Sequence, residues 1–136
     1  MLTLTTTSYG YRAVARGTLT VADVARAIVT FRQRGPEVGG FGYLCDQRDL
    51  AAMSTEVQAK VRELMMQLLD SGLTRVAIIC SSTVRTARAN ALLDGTPAAL
   101  FSQVFDGQDP RWRTSALAWV GASAARDRPG PLDRAA

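Results

Sequence analysis

The sequence contains no histidine. That one absence removes Ser-His and Cys-His nucleophile pairs, a histidine general base and histidine metal ligation. Lysine is nearly absent too: of 16 basic residues, only Lys60 is not arginine. A Ser-Lys pair would have to use Lys60, which falls on the outer face of a predicted helix. Cysteine is limited to Cys45 and Cys80, too few for a disulfide scaffold or a structural zinc site. The two thiols could meet on neighbouring strands as a redox pair, but free cysteine commonly just fills buried space. No apolar run approaches the roughly 18 residues needed to cross a bilayer, and the start lacks the basic and long apolar segments of a signal peptide. These features predict a cytoplasmic protein with no membrane insertion and no catalytic machinery of the common kinds.

What is present is a globular composition. Apolar residues make up 47% and charged residues 21% of a 136-residue chain, enough for one domain with a real core. The formal net charge is +4, yet the arginines are scattered from Arg12 to Arg134 without a block. Nucleic-acid binding needs basic residues clustered on one face, so no nucleic-acid partner is expected.

Along the chain, Leu2 and Leu4 alternate with threonines, which favours a strand. A turn at Ser8-Tyr9-Gly10 and a second extended segment from Tyr11 to Leu19 complete a hairpin, with Gly17 a candidate bulge. Thr20 fits a helix N-cap, with Asp23 near the positive end of the dipole. Val21, Val24, Ile28 and Phe31 then form one apolar stripe, and Gly35-Pro36 stops the helix. After Gly39-Gly40 comes a strand at Phe41–Cys45. The second helix carries Val57, Val61, Leu64, Met65, Leu68 and Leu69 on one face. Thr55 with Gln58 fits a capping box and Ser54 is the competing cap; Glu56 and Lys60 sit at i, i+4. Gly72 closes this helix.

Arg75–Cys80 is apolar on both faces, as a central parallel strand covered by helices should be. A third helix from Thr83 to Leu93, a strand at Leu100–Phe105 and a helix opened by Asp109-Pro110 follow. That last helix places Trp112, Ala116, Trp119 and Val120 on one side. The reading is an α/β single domain over residues 1–121: a mixed five-stranded sheet with an antiparallel N-terminal edge hairpin, the remainder parallel, and four helices. Val61, Leu64, Leu68, Val76, Ile78, Val104 and Trp119 are the expected core. Residues 122–136, rich in Ala, Arg and Pro, read as a disordered tail.

In parallel sheets, ligands bind beyond the C-terminal strand ends, beside helix N-termini. Those ends here carry Cys45-Asp46, Ser81-Ser82-Thr83 and Asp106. Ser81, Ser82 and Thr83 with Arg85 could hold an anion, with Arg85 or Arg88 pairing bidentately. The alternative is plain capping by Ser82 or Thr83 beside two solvated arginines. Asp46, Asp49, Asp106 and Asp109 invite a Mg²⁺ reading, but loop aspartates commonly make local turns, so no metal or cofactor is predicted. Trp112, if exposed, would mark a contact surface.

Four segments share an order and spacing with a known group. They are Arg16-Gly17-Thr18-Leu19-Thr20 leading into the first helix, Cys45-Asp46 ahead of the Ser54 helix, Gly72 to Ile79, and Ala116-Leu117-Ala118-Trp119-Val120. On these the chain resembles the small bacterial SpoIIAA-like proteins of the STAS/SEC14-like group across residues 1–121. The resemblance implies a mixed sheet with helices packed beside it and no established catalysis. Among better-known relatives, anti-sigma-factor antagonists are switched by phosphorylation of a serine at a helix start, and SEC14-type domains hold lipids. Ser54 is the positional counterpart of that serine, although no glycine follows it and its loop is longer. The expected function is a non-catalytic regulatory module acting through contacts with a protein partner that the sequence does not identify. Its surface would be Asp46, Arg48, Asp49, Ser54 and Thr55, which could instead join two copies in a homodimer. The alternative is a binding protein for an anionic metabolite or lipid near Ser81–Arg85.

Overall fold

The structure is a computed structural model and describes residues 1–34 and 40–127. Strands β1 (Leu2–Thr6), β2 (Gly10–Gly17), β3 (Phe41–Leu50), β4 (Leu73–Cys80) and β5 (Ser102–Asp106) form one sheet in the order β1-β2-β3-β4-β5. β1 runs antiparallel to β2, and every later pairing is parallel. Helices α1 (Val21–Arg34), α2 (Thr55–Asp70) and α3 (Thr83–Leu93) connect the parallel strands; α4 (Trp112–Asp127) follows β5. The α/β mixed sheet with four helices is therefore as the sequence reads.

Because each parallel strand lies beside its predecessor, right-handed crossovers put the connecting helices on one face. Alternation along the strands fixes what meets them. Tyr11, Tyr43 and Val76 point toward α1 and α2, where they pack with Phe31, Leu64 and Leu68. Tyr11 stands edge-on to Phe31 and Phe41, with ring centroids 4.8 and 5.2 Å apart, the geometry aromatic quadrupoles favour. Leu44, Ala77 and Ile79 point the other way and pack with Ala116 and Val120 of α4. That helix lies mainly over β3, β4 and β5. On β1 and β2 the same face is bare, with Thr3, Thr5, Arg12 and Arg16 exposed.

α4 can approach so closely because β3 has a glycine beneath it. A Cβ on Gly42 would fall 2.9 Å from both Cβ and the carbonyl oxygen of Val120.

Several boundaries differ from the sequence reading. β3 runs on to Leu50 rather than stopping at Cys45. A bulge lets Val14 pair with Asp46 and Arg16 with Asp49, so backbone pairing continues through polar residues that propensity alone would end. β5 begins at Ser102, after a 3₁₀ turn at Pro97–Leu100. Thr20 and Asp23 exchange side-chain bonds with each other's backbone N–H at 3.1 and 3.0 Å, a capping box for α1. For α2 the cap is Ser54, which accepts from the Val57 N–H at 3.2 Å, and not Thr55. Lys60 pairs with Glu63 at 2.9 Å rather than with Glu56.

The expected disordered tail needs correction over its first part, since α4 continues through residues 122–127. The run Ala122-Ser123-Ala124-Ala125-Arg126 lacks an apolar period but has strong helix propensity. Residues 128–136, together with Gly35-Pro36 and Gly39, lie outside the described residues. Of the expected core, Leu64, Leu68 and Val76 are buried, whereas Val61, Ile78, Val104 and Trp119 are half-buried. Val21 is exposed, because α1 turns it past the sheet.

Candidate functional site

β4 and β5 end level with each other, Cys80 opposite Asp106, and the extended β3 overhangs them. The start of α3 sits at this edge. Ser82 caps it, accepting from the Arg85 N–H at 3.1 Å, while Thr83 donates its hydroxyl to Asp106 at 2.7 Å. Arg85 reaches across the edge and donates to the Leu50 carbonyl at 2.8 Å. That bond ties α3 to the chain that leads from β3 into α2.

Beneath the tie is a cleft that the edge borders, with a volume of about 390 Å³. Leu50, Met53 and Ala89 supply apolar wall, Gln47 and Gln58 supply amides, and Arg85 and Arg88 supply charge. Among the described residues, no carboxylate lines it. Cys80 forms part of the floor. Burial pushes its thiol above the ordinary range, and Asp106 adds to this, while the Arg85 charge and a hydrogen bond with Thr86 oppose it. Cys45 lies on the same side of the sheet, packed in the α1–α2 core, where burial raises its thiol to about 11. Both thiols are therefore protonated at neutral pH. Both cysteines are free.

The five residues predicted to form one rim do not share a surface. Asp46 and Arg48 point toward α4. The Arg48 guanidinium lies over the Trp112 ring, 4.6 Å from its centre, and grips Asp46 with bonds of 3.0 and 2.8 Å. Burial alone would push the Asp46 carboxyl up, but hydrogen bonds from the Arg48 side chain and N–H outweigh it and hold it below the usual range. Ser54 and Thr55 open α2 on the opposite face of the sheet, beside the cleft, and Asp49 is exposed at the end of β3. Strand alternation along the unforeseen part of β3 causes the split: even-numbered residues up to Arg48 face α4, and Cys45 and Gln47 face the cleft side. What comes together instead is Arg85 from the predicted anion set with the neighbours of Ser54.

Sequence reasoning missed Gln47, Met53, Gln58 and Cys80 as cleft residues. The only signal for them was position, two strand ends and two helix starts that meet once the parallel order is known. Asp106 and Asp109 are occupied locally: Asp106 also accepts from the Gln108 N–H and Asp109 from the Arg111 N–H, each at 2.9 Å.

This arrangement of sheet and helices is a SpoIIAA-like fold. A solved structure of an uncharacterized protein from the DUF3478 family, from Shewanella loihica PV-4 and described as having a SpoIIAA-like fold, superposes with a TM-score of 0.60. The alignment covers 88% of this chain and 92% of that one at 19% identity, which speaks for the fold alone. No family model matches the sequence, and no curated protein matches it. Among the described residues, no helix is long and apolar enough to cross a membrane.

Proposed function

We propose that the chain is a non-catalytic binding module of the bacterial cytoplasm, and that its ligand is a small anion with an apolar body held in the cleft at the sheet edge. The observation that carries this is a cleft of about 390 Å³ lined by two arginines and, among the described residues, no carboxylate. That volume falls within the ~300–1,000 Å³ usual for small-molecule sites. It also lies beyond the C-terminal strand ends, where parallel sheets bind ligands. Arg85 is already oriented by its bond to Leu50, so little side-chain entropy is lost when an anion arrives. Arg88 stands a helical turn further on and completes a two-pronged clamp.

Thermal-shift titration with phosphorylated and carboxylate-bearing probes tests the reading. A probe at a hundred times its Kd should stabilise the fold by about 2.7 kcal/mol. Arg88→Glu should abolish the shift while leaving the unliganded melting point in place. Equal shifts in wild type and Arg88→Glu would overturn the proposal.

A regulatory contact with a protein partner, or a homodimer, through Asp49, Ser54 and Thr55 is the second reading. The exposure of these three residues beside the cleft mouth favours it. Ser54→Asp is a clean probe of a phosphoserine switch, because aspartate caps a helix about as well as serine and α2 keeps its start. Identical partner capture by wild type, Ser54→Asp and Asp49→Arg proteins would remove that surface.

A further inference from the structure

The face of the sheet that α4 only half covers holds a second recess, a groove between α4 and β2. Leu44 and Tyr9 line it from the sheet side, α4 brings Trp112, Arg113 and Leu117, and Arg12 stands on the β2 side. Its volume is about 220 Å³, below the ~300 Å³ at which small-molecule sites begin but ample for one large apolar side chain. Leu117 is 42% exposed although it lies against this apolar floor. Among the described residues, neither Arg12 nor Arg113 forms an ion pair. Arg12 is near enough to Asp46 to help hold its carboxyl down, but Arg48 takes both Asp46 oxygens. The groove is therefore apolar at its centre and carries unneutralised positive charge on both banks.

We infer that this groove docks an acidic peptide segment of a partner protein, with one large apolar side chain over Leu44 and Tyr9 and flanking carboxylates paired to Arg12 and Arg113. Three features favour that occupant. An apolar pocket sized for one side chain, ringed by Trp, Tyr and Arg, has the composition of a binding hot spot. Charge on both banks selects acidic neighbours on either side of the anchor. A second copy of this chain is a poor match, since it carries a net charge of +4. The inference is independent of the cleft, which opens on the other face.

The test is fluorescence anisotropy with labelled Glu-Glu-Phe-Glu-Glu at low ionic strength, on full-length protein. Two control peptides replace phenylalanine with serine or the glutamates with lysine. Binding should weaken about ten-fold in Arg12→Glu and in Arg113→Glu, equivalent to ~1.4 kcal/mol each. It should weaken at least as much when serine replaces phenylalanine, and it should fail for the lysine peptide. Arg88→Glu, in the cleft, should leave it unchanged. All three positions are exposed, and circular dichroism checks that the variants fold. Equal affinity for the serine peptide would reduce the groove to a diffuse positive surface and overturn the proposal. So would indifference to both groove variants, an absence of binding at millimolar peptide, or a dimer in sedimentation that Arg113→Glu dissociates.

Discussion

The cleft and the groove lie on opposite faces of one strand, β3, and they are built by different means. The cleft arises where two helix starts and an overlong strand end meet, and a hydrogen bond from Arg85 to Leu50 spans it. The groove arises because a single helix covers three strands of five, leaving Arg12 beside an uncovered edge of apolar floor. The first is a cleft formed where connections meet, the second a gap in packing. A larger cleft with an arginine held in place by the fold suits a small anionic ligand. A smaller gap flanked by arginines without ion pairs among the described residues suits one side chain of a segment laid across it.

The largest effects should come from the layers beneath the two recesses. Leu68 is fully buried on the inner face of α2, so Leu68→Ala should cost about 2–5 kcal/mol in urea unfolding. Leu117→Ala, on the exposed side of α4, should stay within about 0.5 kcal/mol. If the two cost the same, the face assignment of one helix is wrong.

Gly42→Ala separates the recesses more sharply. Its methyl would collide with Val120, and overpacking of this kind costs roughly 1–3 kcal/mol. Because α4 must lift, peptide binding at the groove should suffer while anion binding at the cleft persists. Equal loss at both sites would mean that they are not independent.

A smaller effect concerns acid. The Asp46 carboxyl is held below its ordinary value of 3.8 in the folded chain, so its contribution is full above that value and is lost as pH falls through the lowered one. Stability should drop in that acid window, and Asp46→Asn should flatten the drop. Wild type and Asp46→Asn showing the same slope below pH 4 would count against the Arg48 lock.

The smallest effect is kinetic. Both cysteines are buried, but the Cys45 thiol is raised to about 11 and Cys80 borders the cleft, so Cys80 should be alkylated first at mildly alkaline pH. A cleft ligand should slow Cys80 and leave Cys45 untouched, as peptide mapping after iodoacetamide would show.

Much of the fold was legible because its signals are local. The stripe on α2, the doubly apolar β4 and the Thr20 cap each depend on residues within one or two turns. The candidate site was less so. Ser82 and Arg85 were placed correctly at the edge, because a cap and a strand end can be read in sequence. The supposed rim was not one surface, since β3 continued through Asp46-Gln47-Arg48-Asp49 against propensity, held by pairing with β2 across a bulge. Strand pairing is a long-range property, and one added strand segment decides which face each side chain takes. Trp112 was marked as a contact candidate if exposed; it is half-buried and stacked under Arg48, which no local pattern foretells.

The central claim is that the cleft is an anion site separate from the opposite face. A two-dimensional NMR titration with a phosphorylated probe tests it directly, following backbone amides and arginine Nε–H signals. The account predicts saturable shifts at Arg85, Arg88, Gln58 and Met53, with Arg12, Arg113 and Leu117 unmoved. Shifts centred on Arg12 and Arg113, or linear drift at all arginines alike, would contradict it.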